Sequence, residues 1–358
     1  MRAEHALSGL QGVGMGESNF NRKKAPTMAD VARRAKVSTA AVSYLLSGDS
    51  ARLKFVGKEA RQRILDAVAE LNYVQNRTAR QLRRRQAERI CLLLPRLGVP
   101  FSDRIAQDVQ SAAALNGFST IIAAGDTMER MDRIVREIES GLADGVIADW
   151  QHLSERDVAL LAARLAVAGR PAVIFHPSIE PAGFSVVRQH TGDAVFEALD
   201  YLYQAGHRCI AYMLHERAVD GSRLAAYHRF LQARGLPLRA DLLIGGAEAR
   251  KAAFANARAL AARKERPTAL FAESDLAAVT ALHAFEAAGL SVPGDIAVIG
   301  CGNIDEGEFS RPALTTIGLE TTHYERLADH LIALISGTPR ARPTLFDVSW
   351  QLVRRASA

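Results

Sequence analysis

The sequence predicts a small all-α domain joined to a larger α/β domain built on parallel, doubly wound sheets. Three observations predict it. Residues 27–74 hold helical stretches with apolar faces and no strand pattern. From residue 89 onward, short apolar runs alternate with helical stretches, the pattern of strands joined by helical crossovers. Charge divides at the same place: residues 1–90 hold 18 Lys+Arg and 8 Asp+Glu, a net of +10, while the remainder holds 27 and 31, a net of −4. A chain of 358 residues suits two or three domains, and its 48% hydrophobic content is ample for a sizeable core.

Residues 1–26 lack a continuous apolar h-region and a clear cleavage site. They read as a disordered extension, or as sequence upstream of a start at Met15 or Met28. Thr27 then caps a first helix, with Asp30 three residues on in a capping-box arrangement. Val31, Ala32 and Ala35 share its inner face. Val37 closes a tight turn, and Ser38 caps a second helix whose inner face is Val42, Leu45 and Leu46. Thr39, Ala40, Ala41, Ser43 and Tyr44 are left facing outward. A helix presenting short side chains can enter a DNA major groove, because bulky ones would hold its backbone off the bases. A third helix covers 58–74, with Ile64, Leu65, Val68 and Leu71 on its apolar face, and NRTARQL follows at 76–82. The basic head matches the electrostatic footprint of phosphate binding, although a charge run alone is more often a solvated face.

In the larger part, strands are expected at 89–95, 118–125, 145–149, 171–176, 209–214, 268–273 and 296–301. Helices are expected at 103–117, 129–140, 154–168, 193–205, 222–234, 248–264 and 275–288. Parallel sheets of this kind bind ligands outside the carboxyl ends of their strands. That rule puts Phe101, Asp149, Trp150 and His176 at a cleft, where an aromatic face with an acid and an imidazole suits a polar ligand. Each could equally be a loop residue satisfied by its neighbours.

Other chemistry is missing from the pattern. There is no phosphate-cradling GxxxxGK[ST], no GxGxxG opening a helix, no GxSxG elbow and no spacing that suggests a catalytic triad. The ten histidines scatter without metal-ligand spacing; His323 and His330, two turns apart, read as solvent-facing. Cys91, Cys209 and Cys301 sit in or beside apolar runs, widely spaced and odd in number, which argues for reduced buried thiols rather than disulfides or zinc. No run of eighteen apolar residues exists to span a membrane. No enzyme activity, cofactor or metal is expected.

DVARRAKVSTAAVSYLL, AELNYVQN and NRTARQL, in that order, resemble the lac repressor (LacI/GalR) family of bacterial transcription regulators. ADGVI (143–147), AGHRCIAYM (205–213), SRLAAYHRFL (222–231), PTALFAESDLAAV (267–279), DIAVIG (295–300), RPALTTI (311–317) and QLVRRASA (351–358) extend the resemblance over about residues 27–358. It implies an α-helical helix-turn-helix headpiece at 27–74 and a hinge helix and linker at 75–88. Residues 89–358 would form a periplasmic-binding-protein-like effector and dimerisation domain of two doubly wound parallel-sheet subdomains, with the chain crossing between them near 189, 318 and 343. The hinge helix of this family folds on operator binding, and its leucine, here Leu82, wedges into the minor groove; unstacking a base step costs a few kcal/mol and gains contact surface on bent DNA. DNA contacts are expected from Thr27, Ser38, Thr39, Ala40, Ser43, Tyr44, Asn76, Arg77, Leu82 and Arg83. Base readout rests on Thr39, Ser43 and Tyr44, with Ala40 against a thymine methyl.

The chain also departs from the family. The stretch from Ser43 to Val56 is longer than in the family's name-giving repressor, and the extra GDSARLKF (48–55) brings Arg52 and Lys54 as further phosphate contacts. In the effector domain, Arg223 matches a family arginine that reaches the effector. Ser274-Asp275 stands where Asn-Asp is common, and Cys301-Gly302-Asn303 where an aromatic and two aspartates are common. Gly302 therefore replaces the acid that takes sugar hydroxyls, His190 replaces an aspartate before the first crossing, and Ala247 replaces a stacking aromatic. The reading is a cytoplasmic, nucleoid-associated homodimeric repressor whose affinity for double-stranded operator DNA is set by a small polar effector, a sugar or related metabolite, in a cleft lined by Phe101, Asp149, Trp150, His176, Arg223, Ser274, Asp275 and Gly302. The ending RRASA carries no leucine heptads, so no tetramerising tail is expected. The rivals are a solute-binding protein without catalysis, which has no use for residues 27–86, and an α/β enzyme, which should show a catalytic constellation.

Overall fold

The computed structural model describes residues 26–46, 50–74, 86–215, 221–320 and 323–358. The N-terminal extension and the hinge segment, with Asn76, Arg77, Leu82 and Arg83, lie outside the described residues. The chain divides into two compact units, Met1–Arg84 and Arg85–Ala358.

The first unit is helical: α1 (Met28–Ala35), α2 (Thr39–Leu46), a short α3 (Ser50–Leu53) and α4 (Lys58–Glu70). Thr27 closes a capping box on α1. Its amide donates to Asp30 Oδ2 at 2.9 Å, and its hydroxyl accepts from the Asp30 amide at 3.3 Å. Those Thr27 bonds, with Arg33 beside them, hold the Asp30 carboxyl below the usual carboxylate range. Lys36 ends α1 in the left-handed region at φ 53°, and the Ser38 hydroxyl accepts from the Ala41 amide at 3.2 Å at the start of α2. Val31, Ala32, Ala35, Val42, Val56, Ile64, Ala67 and Tyr73 form the core.

Two details differ from the sequence expectation. α4 stops at Glu70 because Asn72 turns left-handed at φ 47° and folds Tyr73 back into the core. Leu65 is 48% exposed. At 3.6 residues per turn the inward positions are Ile64, Ala67, Val68 and Leu71, and Leu65 falls about 100° off that stripe.

The second unit holds two six-stranded sheets, ordered β2-β1-β3-β4-β5-β11 and β7-β6-β8-β9-β10-β12. The first comprises β1 (Arg89–Leu94), β2 (Ser119–Ala124), β3 (Gly145–Asp149), β4 (Ala172–Phe175), β5 (Ser185–His190) and β11 (Leu345–Ser349), all parallel. The second comprises β6 (Ile210–Met213), β7 (Leu243–Ile244), β8 (Ala269–Ala272), β9 (Ala297–Cys301) and β10 (Thr315–Gly318), parallel, with β12 (Gln351–Val353) antiparallel at the edge.

Helices cover both faces of each sheet. Pro100–Leu115 and Glu325–Ile335 pack on one side of the first sheet, Met128–Glu139 and Glu155–Val167 on the other. Gly192–Gln204 and Ser222–Ala233 flank the second, opposite Arg250–Ala261 and Asp275–Glu286. Burial on both faces explains runs such as Ile90–Leu94, all at or below 1% exposure; each such aliphatic side chain contributes about 1.5–3 kcal/mol.

The chain passes between sheets after β5, after β10 and between β11 and β12. The last passage is at Trp350 rather than near 343, because β11 runs on beside β5 as far as the Ser349–His190 pair. Cys91, Cys209 and Cys301 are free thiols, and burial pushes Cys91 up to about 12. His330 is half-buried rather than solvent-facing: its Nε2 meets the Ser185 hydroxyl at 2.8 Å and its ring stands edge-on to Phe346. His323 is exposed.

Candidate functional site

Two places carry chemistry, one on each unit. On the helical unit, α2 presents Thr39 and Ala40 exposed and Ser43 half-exposed. Ala41 and Tyr44, expected outward, are half-buried against the core, and the Tyr44 ring lies 5.8 Å from the Arg52 guanidinium. The Thr27 hydroxyl also donates to Asp30 Oδ2 at 2.6 Å, so the cap uses it both as donor and as acceptor. Ser38 accepts in its cap and keeps its hydroxyl proton for a further bond.

On the second unit the carboxyl ends of both sheets face one cleft. Each strand order reverses between two neighbours, β1 and β3 in the first sheet and β6 and β8 in the second, which is where a doubly wound sheet opens a crevice. Asp149 ends β3 at 6% exposure and accepts from the Gln151 side-chain amide at 3.0 Å. Burial pushes its carboxyl up; the Gln151 bonds and the charges of His152 and Arg223 oppose that shift. Arg223, in the first turn of Ser222–Ala233, donates to the Thr191 hydroxyl at 3.4 Å and to the Glu273 carbonyl at 3.3 Å. Its guanidinium stands 5.4 Å from the Trp350 ring centre, a cation–π distance.

Around it, the buried Glu273 carboxylate accepts from the Tyr212 hydroxyl at 2.7 Å and the His215 amide at 2.8 Å. Burial, then the charges of Arg223 and Arg96, push the His215 imidazole down to about 4, against the pull of Glu248, so it is neutral at pH 7. Arg104 spans the cleft, donating from the first subdomain to the Asn303 carbonyl at 3.1 Å and to Asp305 at 2.8 Å on the second. Asn303 is braced in turn by Arg355 on its Oδ1 and by the Leu319 carbonyl on its Nδ2, both at 2.8 Å. Phe101 packs against Tyr324 and Trp350, with ring centres 6.0 and 6.2 Å away. The recess these rings share with Arg104, Gly302, Ile304 and Leu319 is about 10 Å³, close to the room one water needs.

Of the residues expected here, Phe101, Asp149 and Arg223 come together. Trp150 does not: it is fully buried among Met131, Val158, Leu161 and Ile174 on the outer face of the first sheet. His176 is occupied by its own loop, since Nδ1 accepts from the Ser178 and Ile179 amides at 3.3 and 3.4 Å. Its other nitrogen, Nε2, therefore carries the proton and donates to the Leu153 carbonyl at 3.2 Å. Ser274 caps Asp275–Glu286 through the Ala277 amide.

Asp275 is 1% exposed and turned beneath the cleft floor, accepting from the Ile304 amide at 2.9 Å and from the Thr316 hydroxyl. Burial pushes its carboxyl up to about 6. Gly302 has φ 136°, a conformation that strains an L-residue. His190 turns to Asp347 at 2.8 Å, and Ala247 lies in the outer core of the second sheet.

Sequence reasoning missed Trp350, Tyr324, Thr191 and Glu273. Trp350 was the findable one, since it is one of only two tryptophans in the chain. A larger surface depression, about 490 Å³ beside Asp126, Arg130, Arg133 and Arg136, runs along Met128–Glu139 from the loop that follows β2. Its Arg130 is paired with Asp126 and its Arg136 with Asp132. Among the described residues, no group of three or more His, Cys, Asp or Glu could hold a metal ion.

Comparison with known proteins adds the following. Residues 27–76 match the model for bacterial regulatory proteins of the lacI family, and residues 199–358 match a periplasmic binding protein-like domain. The HTH-type transcriptional repressor PurR of Erwinia tasmaniensis is 28% identical over 332 residues, 90% of this chain and 95% of that repressor. A transcriptional regulator CelR–cellobiose complex superposes with a TM-score of 0.64 at 26% identity, covering 93% of this chain and 100% of that one. The lac repressor dimer bound to operator and the anti-inducer ONPF shares the fold with a TM-score of 0.78 at 24% identity, covering 93% and 99%.

Proposed function

The chain belongs to the lacI family of bacterial regulatory proteins, as a DNA-binding repressor with an effector domain and not an enzyme, and on that premise we propose how its parts divide the work. Two headpieces of a homodimer read the half-sites of a pseudo-palindromic operator, since two-fold protein symmetry mirrors two-fold DNA symmetry. Thr39, Ala40 and Ser43 face the major groove, and Asn76, Arg77, Leu82 and Arg83 serve the hinge. A small polar metabolite in the cleft sets operator affinity. The protein acts in the cytoplasm, on the nucleoid; no described helix is long and apolar enough to cross a membrane.

The observation that carries the effector reading is Arg223, held by Thr191, Glu273 and the Trp350 ring, with its charge reaching Asp149 on the opposite subdomain. A ligand bound between them touches both subdomains, so it can favour one cleft geometry over another, which is what coupling to a second site requires. The related regulator solved with cellobiose favours a sugar-like effector. Gly302 argues that plain hexoses bind weakly, because no acid stands there to take their hydroxyls. A solute-binding role is disfavoured by the lacI-family match over 27–76.

Salt titration tests the DNA-binding arm. The net charge of +10 over residues 1–90 implies several phosphate contacts, and log K should fall with log salt by roughly 0.9 for each. A flat dependence for duplex binding sinks the electrostatic picture. Leu82→Ala tests the hinge. Losing the contacts that offset the few kcal/mol of unstacking should weaken operator binding by about ten- to a hundredfold and remove the bend, with the effector domain still folded. An unchanged bend in a circular-permutation gel assay excludes the wedge.

A further inference from the structure

The chain enters the effector domain at residues 86–89, and a buried acid grips that entry. Asp144, 3% exposed at the foot of β3, accepts from the Ala87 amide on Oδ1 at 2.8 Å and from the Arg89 amide on Oδ2 at 3.2 Å. Its own amide donates back to the Arg89 carbonyl at 2.8 Å. Arg170, just beyond the helix Glu155–Val167, places Nη1 3.4 Å from the same Oδ1. Between the two gripped amides stands Glu88, left-handed at φ 53°, a conformation that strains a residue with a Cβ. The Glu88 carbonyl accepts from the Ser119 amide at 2.9 Å.

The strand that carries this grip is held firmly. At its first residue, Gly145, an added Cβ would stand 3.0 Å from Leu331 Cδ1 and Ile335 Cδ1 and 3.1 Å from the Pro171 carbonyl, so the start of β3 has no room to shift by itself. β3 is hydrogen-bonded on both sides, to β1 and to β4. Its last residue, Asp149, faces the cleft within reach of the Arg223 charge. A strand rises about 3.3 Å per residue, so the grip on the linker and the cleft acid are the two ends of one rod about 16 Å long. The root of the linker moves with the wall of the cleft and not independently of it.

We propose that Asp144 is a positioning residue for operator recognition: it fixes the direction in which the chain leaves the effector domain toward the hinge. Without its carboxyl, the Ala87 and Arg89 amides lose their acceptor and Glu88 relaxes out of its left-handed conformation. The linker root must then be ordered each time the protein docks on its operator, at a cost in backbone entropy. Binding to arbitrary duplex rests on phosphate contacts of the basic head and needs no fixed root. The inference rests on the operator-binding reading above and adds to it a residue that contacts neither the DNA nor the effector.

The test uses the full-length protein and two fluorescent duplexes of equal length, one enriched by the wild-type protein from a random-sequence pool and one of mixed sequence. Asp144→Ala should lower affinity for the enriched duplex about tenfold, the cost of fixing roughly one further backbone residue, and leave affinity for the mixed duplex unchanged. Asp144→Asn keeps the shape of the side chain and one acceptor; it should fall between, and it decides the matter where the Ala variant does not fold. Hydrogen exchange at the Ala87 and Arg89 amides should quicken in both variants. Ile147→Val, a fully buried position in the middle of the same strand, is the control. It should lower the urea midpoint and leave the ratio of the two affinities at the wild-type value, so that a fall in the ratio reports position and not stability. Folded Asp144 variants that keep the wild-type ratio overturn the inference. A wild-type protein that enriches no sequence from the pool overturns the operator reading as well, so the two failures are distinguishable.

Discussion

Arg223→Ala should remove the effector's influence on DNA binding while the protein still binds its operator. Arg223 is a cation at the meeting of both subdomains, with Thr191, the Glu273 carbonyl and the Trp350 ring about it and Asp149 within reach of its charge. A ligand's anionic or hydroxyl group placed there makes a charge-assisted hydrogen bond out of water. Truncating one partner of such a pair costs about 2–5 kcal/mol, a thirty- to several-thousandfold loss of effector affinity. The variant leaves α1 to α4 untouched, so the helical unit keeps its own contacts with DNA. Coupling is reciprocal: an effector that weakens operator binding must itself bind less tightly to the operator complex, by the same factor. Titrating candidate metabolites calorimetrically against wild type and variant decides it. Equal affinity of the true effector for both proteins shows that the pocket lies elsewhere. Tight binding of a plain hexose to wild type removes only the argument from Gly302.

Gly300→Ala should destabilise the effector domain by about 3–9 kcal/mol, overpacking and two orphaned donors together. A Cβ on residue 300 would stand 2.1 Å from Asp275 Oδ1, 2.8 Å from Leu314 Cδ2 and 3.2 Å from Ala278 Cβ. The side chain in the way cannot swing aside cheaply. Asp275 is buried and holds both the Ile304 amide and the Thr316 hydroxyl. Moving it orphans buried donors at about 1–3 kcal/mol each, in addition to overpacking worth about 1–3 kcal/mol. Domains are stable by only about 5–15 kcal/mol, so the loss should be plain in a urea midpoint. Because Asp275 secures the loop at Ile304 that follows Asn303, the same variant should loosen the grip of Arg104 across the cleft. A midpoint within error of wild type shows that β9 and Asp275–Glu286 can part without cost, and that Asp275 does not hold the cleft floor.

The alternation of strands and helices from residue 89 to 301 was readable in the chain, as were α1 and α2 with their caps. Their signals are local: an apolar run of four to six residues, a 3.6-residue stripe, a hydroxyl at the helix start. Five strands and the helices Asp305–Phe309 and Glu325–Ile335 were not readable there. β7 and β12 are too short to carry a pattern, β5, β10 and β11 mix polar with apolar residues, and all five become strands because a neighbour supplies the other half of the ladder. The helix Glu325–Ile335 follows the second passage between sheets and closes the face of the first sheet from the far end of the chain.

The site divides in the same way. Sequence by itself determined that the chain carries a basic helical head and an α/β body with strand ends for a cleft, and resemblance singled out Arg223. Only the tertiary structure decided which side chains enter that cleft. A strand end specifies the edge of a sheet but not the direction a side chain takes beyond it. Asp149 stays at the cleft, whereas its neighbour Trp150 turns back between the sheet and its outer helices. The other tryptophan, Trp350, arrives two hundred residues later to meet Phe101 and Arg223. His176 and Asp275 were withdrawn by hydrogen bonds to loop amides. Periodicity is set by neighbours in sequence, whereas the lining of a cleft is set by groups that only folding makes neighbours, and buried polar groups bind whichever donors and acceptors the fold brings within reach.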